Sequence, residues 1–274
     1  MESATEAIDF LARSAHRTGV LDALAETPRD RRDLRALTGA SAPTMSRVLA
    51  DFEERRWVER DGPTYELTPL GAFVADRFAA LREAMATERK LRDVWRWLPR
   101  EMEGFSVDLF ADAVVSYPGP GYPYEPVERV SHLIETTSAM RGFGTTVFKS
   151  INNATVCRSV LAGMDYEYIY SRPVLEATVA WNPEQVAEAT ACEHCTVLLH
   201  DDLPDERRCG LGIFDDRIGI CCHDAETGML EAVVDTAAPA AREWAVSVFD
   251  RYREQARPVD AETRADLFPS ELTV

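Results

Sequence analysis

Lysine is nearly missing from this chain of 274 residues. Lys90 and Lys149 stand against 28 arginines, and 47 aspartates and glutamates bring the formal net charge to −17. Long apolar runs are also missing, although 46% of the residues are hydrophobic and can supply a core. That absence excludes a membrane-spanning helix and a secretory signal, so a cytoplasmic setting is expected. There is no phosphate-cradling loop ending in Lys-Ser or Lys-Thr, no Gly-x-Ser-x-Gly elbow and no His-Glu-x-x-His pair, which removes the common nucleotide-hydrolysing, serine-hydrolase and zinc-protease classes. A methyltransferase that uses S-adenosylmethionine needs a glycine-rich turn after the first strand of its catalytic half, to bring backbone close to the cofactor. None is present. Gly210 and Gly212 lie inside a strand pattern and lead into Asp215-Asp216, so the chain is read as non-enzymatic.

What is present is an ordered pattern between Asp30 and Gly71. Asp30 can cap a short helix from Arg31 to Thr38, with Leu34 and Leu37 at helical spacing and Gly39 to leave it. Ser41 caps the next helix and Pro43 sits in its first turn. Met45, Val48, Leu49 and Phe52 form the inward stripe of that helix; Thr44, Ser46, Arg47 and Ala50 face the other way. After Arg56 the period turns strand-like through Trp57-Val58-Glu59-Arg60, turns at Asp61-Gly62-Pro63 and returns through Tyr65-Glu66-Leu67-Thr68. Helix, turn, helix, strand, strand is the order of a winged helix-turn-helix. Ser41, Pro43, Thr44, Ser46, Arg47, Arg60 and Thr64 are the candidate contacts to double-stranded DNA, because short polar groups and an arginine suit a major groove.

Charge is split along the chain. Residues 1–100 hold 17 basic and 17 acidic side chains, whereas residues 101–274 hold 13 and 30. A neutral first part in an acidic chain suits a face that must approach phosphates, with Arg31, Arg32, Arg35, Arg47, Arg55, Arg56 and Arg60 as candidates. Arg55 and Arg56 can equally be helix-ending residues placed against the dipole.

The N-terminal motifs, from Gly19-Val20-Leu21-Asp22-Ala23-Leu24-Ala25 through Ser46-Arg47-Val48-Leu49 to Tyr65-Glu66-Leu67-Thr68-Pro69-Leu70-Gly71, resemble archaeal winged-helix transcriptional regulators. They also resemble the dimerisation domain of small-molecule O-methyltransferases, which uses the same scaffold without touching DNA, so the scaffold alone leaves both open. The arginine-rich, acidic composition resembles proteins of salt-accumulating halophilic archaea.

The remainder follows a different plan. Gly71 to about Leu98 reads as one long helix with Phe73, Phe78, Leu81, Met85 and Leu91 inward, suited to linking domains and pairing subunits, and ending near Trp95 and Trp97. A proline- and tyrosine-rich loop follows, in which Tyr117, Tyr122 and Tyr124 are candidates for a ligand pocket and equally for plain packing. Beyond Ala111 strands and helices alternate. Strands are expected at Ala113-Val115, Thr145-Phe148, Tyr166-Tyr170 and Thr196-His200, then in a run from Gly210 to Val234, and an amphipathic helix from Ala238 to Ala256 closes the domain. The expected class is α/β (α+β) with a mixed sheet. The expected domains are 1–70 (winged helix), 71–110 (linking helix and connector, the expected dimerisation segment), 111–258 (effector or sensor domain) and 259–274 (tail).

Pro126-Val127-Glu128-Arg129, Gly210-Leu211-Gly212-Ile213-Phe214-Asp215-Asp216-Arg217, His223-Asp224 and Val234-Asp235-Thr236 give this half a resemblance to the effector domain of the methanogenesis and filament regulatory proteins. That resemblance implies a two-domain, dimeric DNA-binding regulator whose second half senses a small molecule, a metal or a redox signal. The charged run Asp205-Glu206-Arg207-Arg208 departs from the family pattern. Cysteine offers one more site. Cys192 and Cys195 have knuckle spacing, and with Cys209 and either Cys221 or Cys222 could hold zinc or form a redox pair if their strands are neighbours; the alternative is packing as small apolar residues.

Overall fold

The computed structural model describes residues 3–146, 150–203, 209–224, 227–259, 263 and 266–267. The chain divides into compact units at Ala86/Thr87.

The first unit begins with helices α1 (Ala4–Ala12) and α2 (Ala15–Glu26), a short strand β1 (Arg29–Asp30), then α3 (Arg31–Thr38) and α4 (Ala42–Glu54). Strands β2 (Val58–Asp61) and β3 (Thr64–Leu67) form the wing, and α5 (Pro69–Leu91) starts directly after it. Asp30 and Ser41 cap α3 and α4 by accepting the backbone N–H of Asp33 and Thr44, and Gly39 leaves α3 in the left-handed region at φ 67°. The three-stranded order is β1-β3-β2, all antiparallel. Leu34, Met45, Val48, Leu49 and Phe52 are buried together with Val20, Leu21 and Trp57. Leu37 lies on the open side of α3 instead, because an eight-residue helix packs only one narrow stripe.

Helix α4 ends with Arg56 at φ 58°, the Trp57 N–H bonded to the Phe52 carbonyl and the Arg56 N–H to that of Glu53. This is the double bond pattern that closes a helix through one left-handed residue, and the rings of Phe52 and Trp57 meet across it at 5.6 Å. Gly71 permits the return of α5 onto the wing: a Cβ there would stand 1.8 Å from the Trp57 carbonyl oxygen.

The expected long helix ends earlier than its apolar pattern suggests. Turns replace it after Leu91, burying Val94 and Leu98, while Trp95 and Trp97 are capped by the guanidinium groups of Arg100 and Arg96. Phe73, Leu81 and Met85, expected inward, are exposed; Leu91 is buried and Phe78 half-buried.

The second unit contains β4 (Val114–Ser116), α6 (Glu125–Glu135), β5 (Ala139–Gly144), α7 (Ser150–Leu161), β6 (Asp165–Tyr170), α8 (Arg172–Trp181), α9 (Pro183–Thr190) and β7 (Cys195–Leu199). It continues with β8 (Cys209–Ile213), β9 (Ile218–His223), β10 (Leu230–Thr236), α10 (Pro239–Gln255) and β11 (Arg257–Pro258). Its eight strands lie in the order β11-β7-β6-β5-β8-β9-β10-β4, with β5, β6 and β7 parallel and the other pairings antiparallel. The expected mixed α/β sheet is present. Alternation along its strands serves two cores: Phe143, Ile169 and Leu198 pack with α10, and Met140, Tyr168 and Leu199 pack on the opposite face with α6 to α9.

The central strand β5 was expected at Thr145-Phe148, of which 147–149 lie outside the described residues. It runs instead over Ala-Met-Arg-Gly-Phe-Gly, whose glycines disguise it as a loop. A Cβ at Gly142 would lie 2.2 Å from the Leu211 carbonyl oxygen, so the close approach of β8 requires this glycine.

The residues that carried the family resemblance in this half meet in space. Asp235 on β10 is fully buried and receives two guanidinium forks, from Arg129 on α6 at 2.5 and 2.9 Å and from Arg217 in the β8–β9 turn at 2.5 and 2.9 Å. Asp215 in the same turn accepts the Ser138 N–H (2.7 Å), the Ser138 hydroxyl (2.9 Å) and the Ala139 N–H (3.0 Å). Burial pushes its carboxyl upward, but these hydrogen bonds together hold it below the usual aspartate value. The motifs are the fasteners of α6, β5 and the β8–β9 hairpin.

Candidate nucleic-acid interface

On α4 the inward stripe leaves Ser46, Arg47 and Ala50 exposed, with Ala42 and Pro43 on the surface of the first turn. Arg47 is extended from this face with no hydrogen bond or ion pair among the described residues. Ser41 and Thr44 are partly committed to the cap, their hydroxyls 2.9 Å apart. Thr64 donates to the Asp61 carbonyl at 2.9 Å, fixing the wing turn, and Arg60 Nε donates to the Gly62 carbonyl at 2.8 Å.

A link that the sequence pattern did not reveal ties these parts together. Arg31 on α3 donates to the Tyr65 hydroxyl at 2.8 Å and to Ser46 Oγ at 3.4 Å, and Arg60 lies over the other side of the same neighbourhood, 5.7 Å from the Tyr65 ring centre. Helix α3, the exposed face of α4 and the wing are therefore braced through one tyrosine. The signal was weak because β1, which holds Arg31 beside Tyr65 through the Arg29–Tyr65 pairing, is only two residues long.

The other arginines divide. Arg32 is exposed without a partner among the described residues. Arg35 donates to the Ala40 carbonyl, closing the turn, and Arg55 lies 4.0 Å from the Phe10 ring centre and 5.3 Å from that of Trp57. Arg55 is the C-cap of α4 and Arg56 makes the helix-ending turn, the alternative role the sequence allowed them, and Arg55 also packs on the rings.

The two other candidate sites do not assemble. Cys195 on β7 and Cys221 and Cys222 on β9 are separated by β6, β5 and β8, about 19 Å at the usual strand spacing, and Cys209 on β8 pairs with Cys222, three strands from β7. The condition that their strands be neighbours fails. Among the described residues no group of three or more His, Cys, Asp or Glu side chains could hold a metal ion, so the residues do not fit zinc. Cys221 and Cys222 point to opposite faces, each buried in one core, and burial pushes the Cys221 thiol up to about 12, which keeps it protonated and inert. Cys192 and Cys195 are half-buried, belong to no disulfide and pack at the edge of the α9 core. As for the tyrosines, Tyr122 is exposed on a tight loop closed by the Gly119–Tyr122 backbone pair. Tyr117 stands near Asp93, with burial first and then that negative charge raising its hydroxyl's pKa. Tyr124 borders a shallow groove of α6 with Val127, Ser131 and His132. Neither Tyr117 nor Tyr122 lines that groove.

A winged helix-turn-helix followed by a mixed α/β domain defines the class of this protein. Residues 5–90 match the model of the HVO_A0261 N-terminal domain, and residues 123–255 match that of the methanogenesis regulatory protein FilR1, middle domain. The chain thus joins domains of these two kinds, the combination that its motifs led us to expect. No curated protein matches the sequence. Solved structures resemble it distantly. They include the archaeal chromatin protein TrmBL2 (14% identity, TM-score 0.40, 94% of this chain and 100% of that one) and the phospholipase D family member Nuc from Salmonella typhimurium (15%, 0.43, 53% and 96%). The calicheamicin-biosynthesis methyltransferase CalO1 is a third (20%, 0.23, 73% and 78%). Likenesses at this level assign nothing to this chain. No described helix is long and apolar enough to cross a membrane.

Proposed function

We propose that this protein is a DNA-binding transcriptional regulator that acts as a homodimer, with its second unit as an effector domain and no enzymatic role. The observation that carries the reading is the open face of α4. Arg47 has no partner there among the described residues, beside short polar groups, and the wing and α3 are braced to the same face through Arg31 and Tyr65. A winged helix used only for packing has no need to keep an arginine unpaired on its second helix. The match to a regulatory protein's middle domain agrees with this reading, as does the concentration of all excess acid beyond residue 100.

Pairing is supported by α5. Leu70, Phe73, Leu81 and Met85 form one exposed stripe along it, with Phe73 60% and Met85 57% exposed, and Ala80 and Ala84 fill the gaps. Their spacing keeps them on a single side of the helix, and only Arg77, stacked on Phe73, interrupts them. A stripe of this kind suits the same stripe on a second copy.

Genome-wide occupancy of the tagged protein, followed by binding to the recovered sites in vitro, tests the assignment. Discrete sites sharing a two-fold motif are expected. Uniform occupancy and no binding to recovered DNA would sink it.

A further inference from the structure

The three parallel strands end together. Gly144 pairs with Tyr170 and Tyr170 with Leu199, so the next residues, Thr145, Ser171 and His200, stand in one row at the carboxyl edge of the sheet; the His200 N–H bonds to the Tyr170 carbonyl at 2.9 Å. Strand alternation places them on the same side as Phe143, Ile169 and Leu198. Tyr252 of α10 confirms that side, with its ring 4.9 Å from Phe143 and 5.4 Å, edge to face, from His200.

Two polar atoms of this row are buried without partners among the described residues. Ser171 and His200 are each only 5% exposed, yet among the described residues neither Ser171 Oγ nor His200 Nε2 has a hydrogen bond. Ser171 is the N-cap of α8, a ten-residue helix, but its hydroxyl does not cap the backbone. Folded proteins rarely leave such groups unsatisfied, because their desolvation is then uncompensated. The chemistry of the row is one-sided. His200 Nδ1 accepts the Asp202 N–H at 3.0 Å, so the ring proton sits on Nε2 and that atom is a donor. The Ser171 hydroxyl can donate, and the start of α8 adds the positive end of its dipole. Asp201 and Asp202, which follow His200, are both exposed, and Asp201 lies 3.8 Å from Arg257.

We propose that Ser171 and His200 form a binding site for a small oxyanion, a carboxylate or phosphate group, at the carboxyl edge of β5, β6 and β7. Donors converging on one edge of parallel strands, next to a helix N-terminus, are what such a group requires. The site is a property of the second unit and does not depend on the DNA-binding reading.

Thermal unfolding of the full chain, without DNA and at constant ionic strength, tests it with inorganic phosphate and with succinate in separate titrations. A concentration-dependent rise in Tm with at least one anion is expected, and which one raises it names the head group. Ser171→Ala should leave the anion-free Tm unchanged or higher, since it removes an unsatisfied buried hydroxyl, while weakening the apparent affinity tenfold or more. His200→Phe should weaken it similarly, and His200→Gln, which retains a donor near Nε2, should recover part of it. Three results would each overturn the site: no rise with either anion, an undiminished rise in Ser171→Ala and His200→Phe, or an anion-free Tm several degrees lower in Ser171→Ala, which would show that the hydroxyl has a protein partner.

Discussion

At the scale of single residues, the proposed DNA face gives Arg47 and Arg60 different tasks. Arg47 is unheld and stands on the open side of α4, so it can meet a base edge; Arg47→Ala should cost about 1–3 kcal/mol of discrimination on an identified operator. Arg60 is held by the Gly62 carbonyl on the wing, where backbone or minor groove is the usual neighbour. Arg60→Ala should weaken binding to all sequences alike. Competition gel shifts with operator and scrambled DNA separate these outcomes, and an unchanged specificity ratio for Arg47→Ala would remove α4 from the groove. Asp235 makes a sharper structural prediction. Asp235→Asn leaves two partly buried guanidinium groups facing a neutral amide, which should cost about 3–5 kcal/mol, read as a lower denaturant midpoint with the same slope. Both arginines lie far from it in sequence, so no pattern pointed to the cluster; the residues were legible as a motif, but their convergence was not.

At the scale of elements, local chemistry was read from the sequence wherever it is written in consecutive residues. The caps Asp30 and Ser41, the glycine exit at Gly39 and the wing turn at Gly62 all depend on neighbours in the chain, and all stand where the pattern placed them. Strand β5 was misplaced because its residues obey a tertiary demand, the room that Leu211 and Tyr168 leave at Gly142, which overrides strand propensity. The cysteine cluster failed for the same reason, since strand order is a property of the whole sheet and Cys192-to-Cys222 proximity in sequence says nothing of it. Phe73, Leu81 and Met85 of α5 were read correctly as apolar and wrongly as inward, whereas Leu91 is buried as expected. An amphipathic pattern reports that a face needs a partner and leaves open whether that partner is the same chain. If it is a second copy, Leu81→Glu with Met85→Glu should convert the protein to a monomer by light scattering while its circular dichroism is kept. Affinity for a two-half-site operator should then fall at least tenfold. A variant that remains dimeric would move the interface elsewhere.

At the scale of the whole molecule, the surplus of acid beyond residue 100 sets the conditions under which the fold is stable. With 30 acidic against 13 basic residues there, self-repulsion opposes the compact state, and salt screens it, since the Debye length shrinks from about 10 Å at 0.1 M to about 3 Å at 1 M. The Tm of the full chain should therefore rise by several degrees between 0.1 and 2 M KCl, measured by scanning calorimetry. A fall or a flat response would detach this composition from salt. DNA binding at such salt gains little from counterion release, so the direct contacts of the α4 face would have to carry more of the affinity.

The place of β5 at the centre of the sheet also sets a timetable for synthesis. Its parallel neighbour β6 follows soon after it, but its other edge waits for β8, which ends at Ile213, while β5 ends at Gly144. At about 5–20 residues per second, a ribosome needs roughly 3–14 s to make that interval. During that interval β6 and then β7 are added while the other flank of β5 stays open, the kind of edge that recruits a foreign strand. The hairpin that finally covers it carries Arg217, one of the two cations on Asp235, so arrival of the second flank and assembly of the buried ion cluster belong to the same late moment in the life of the chain.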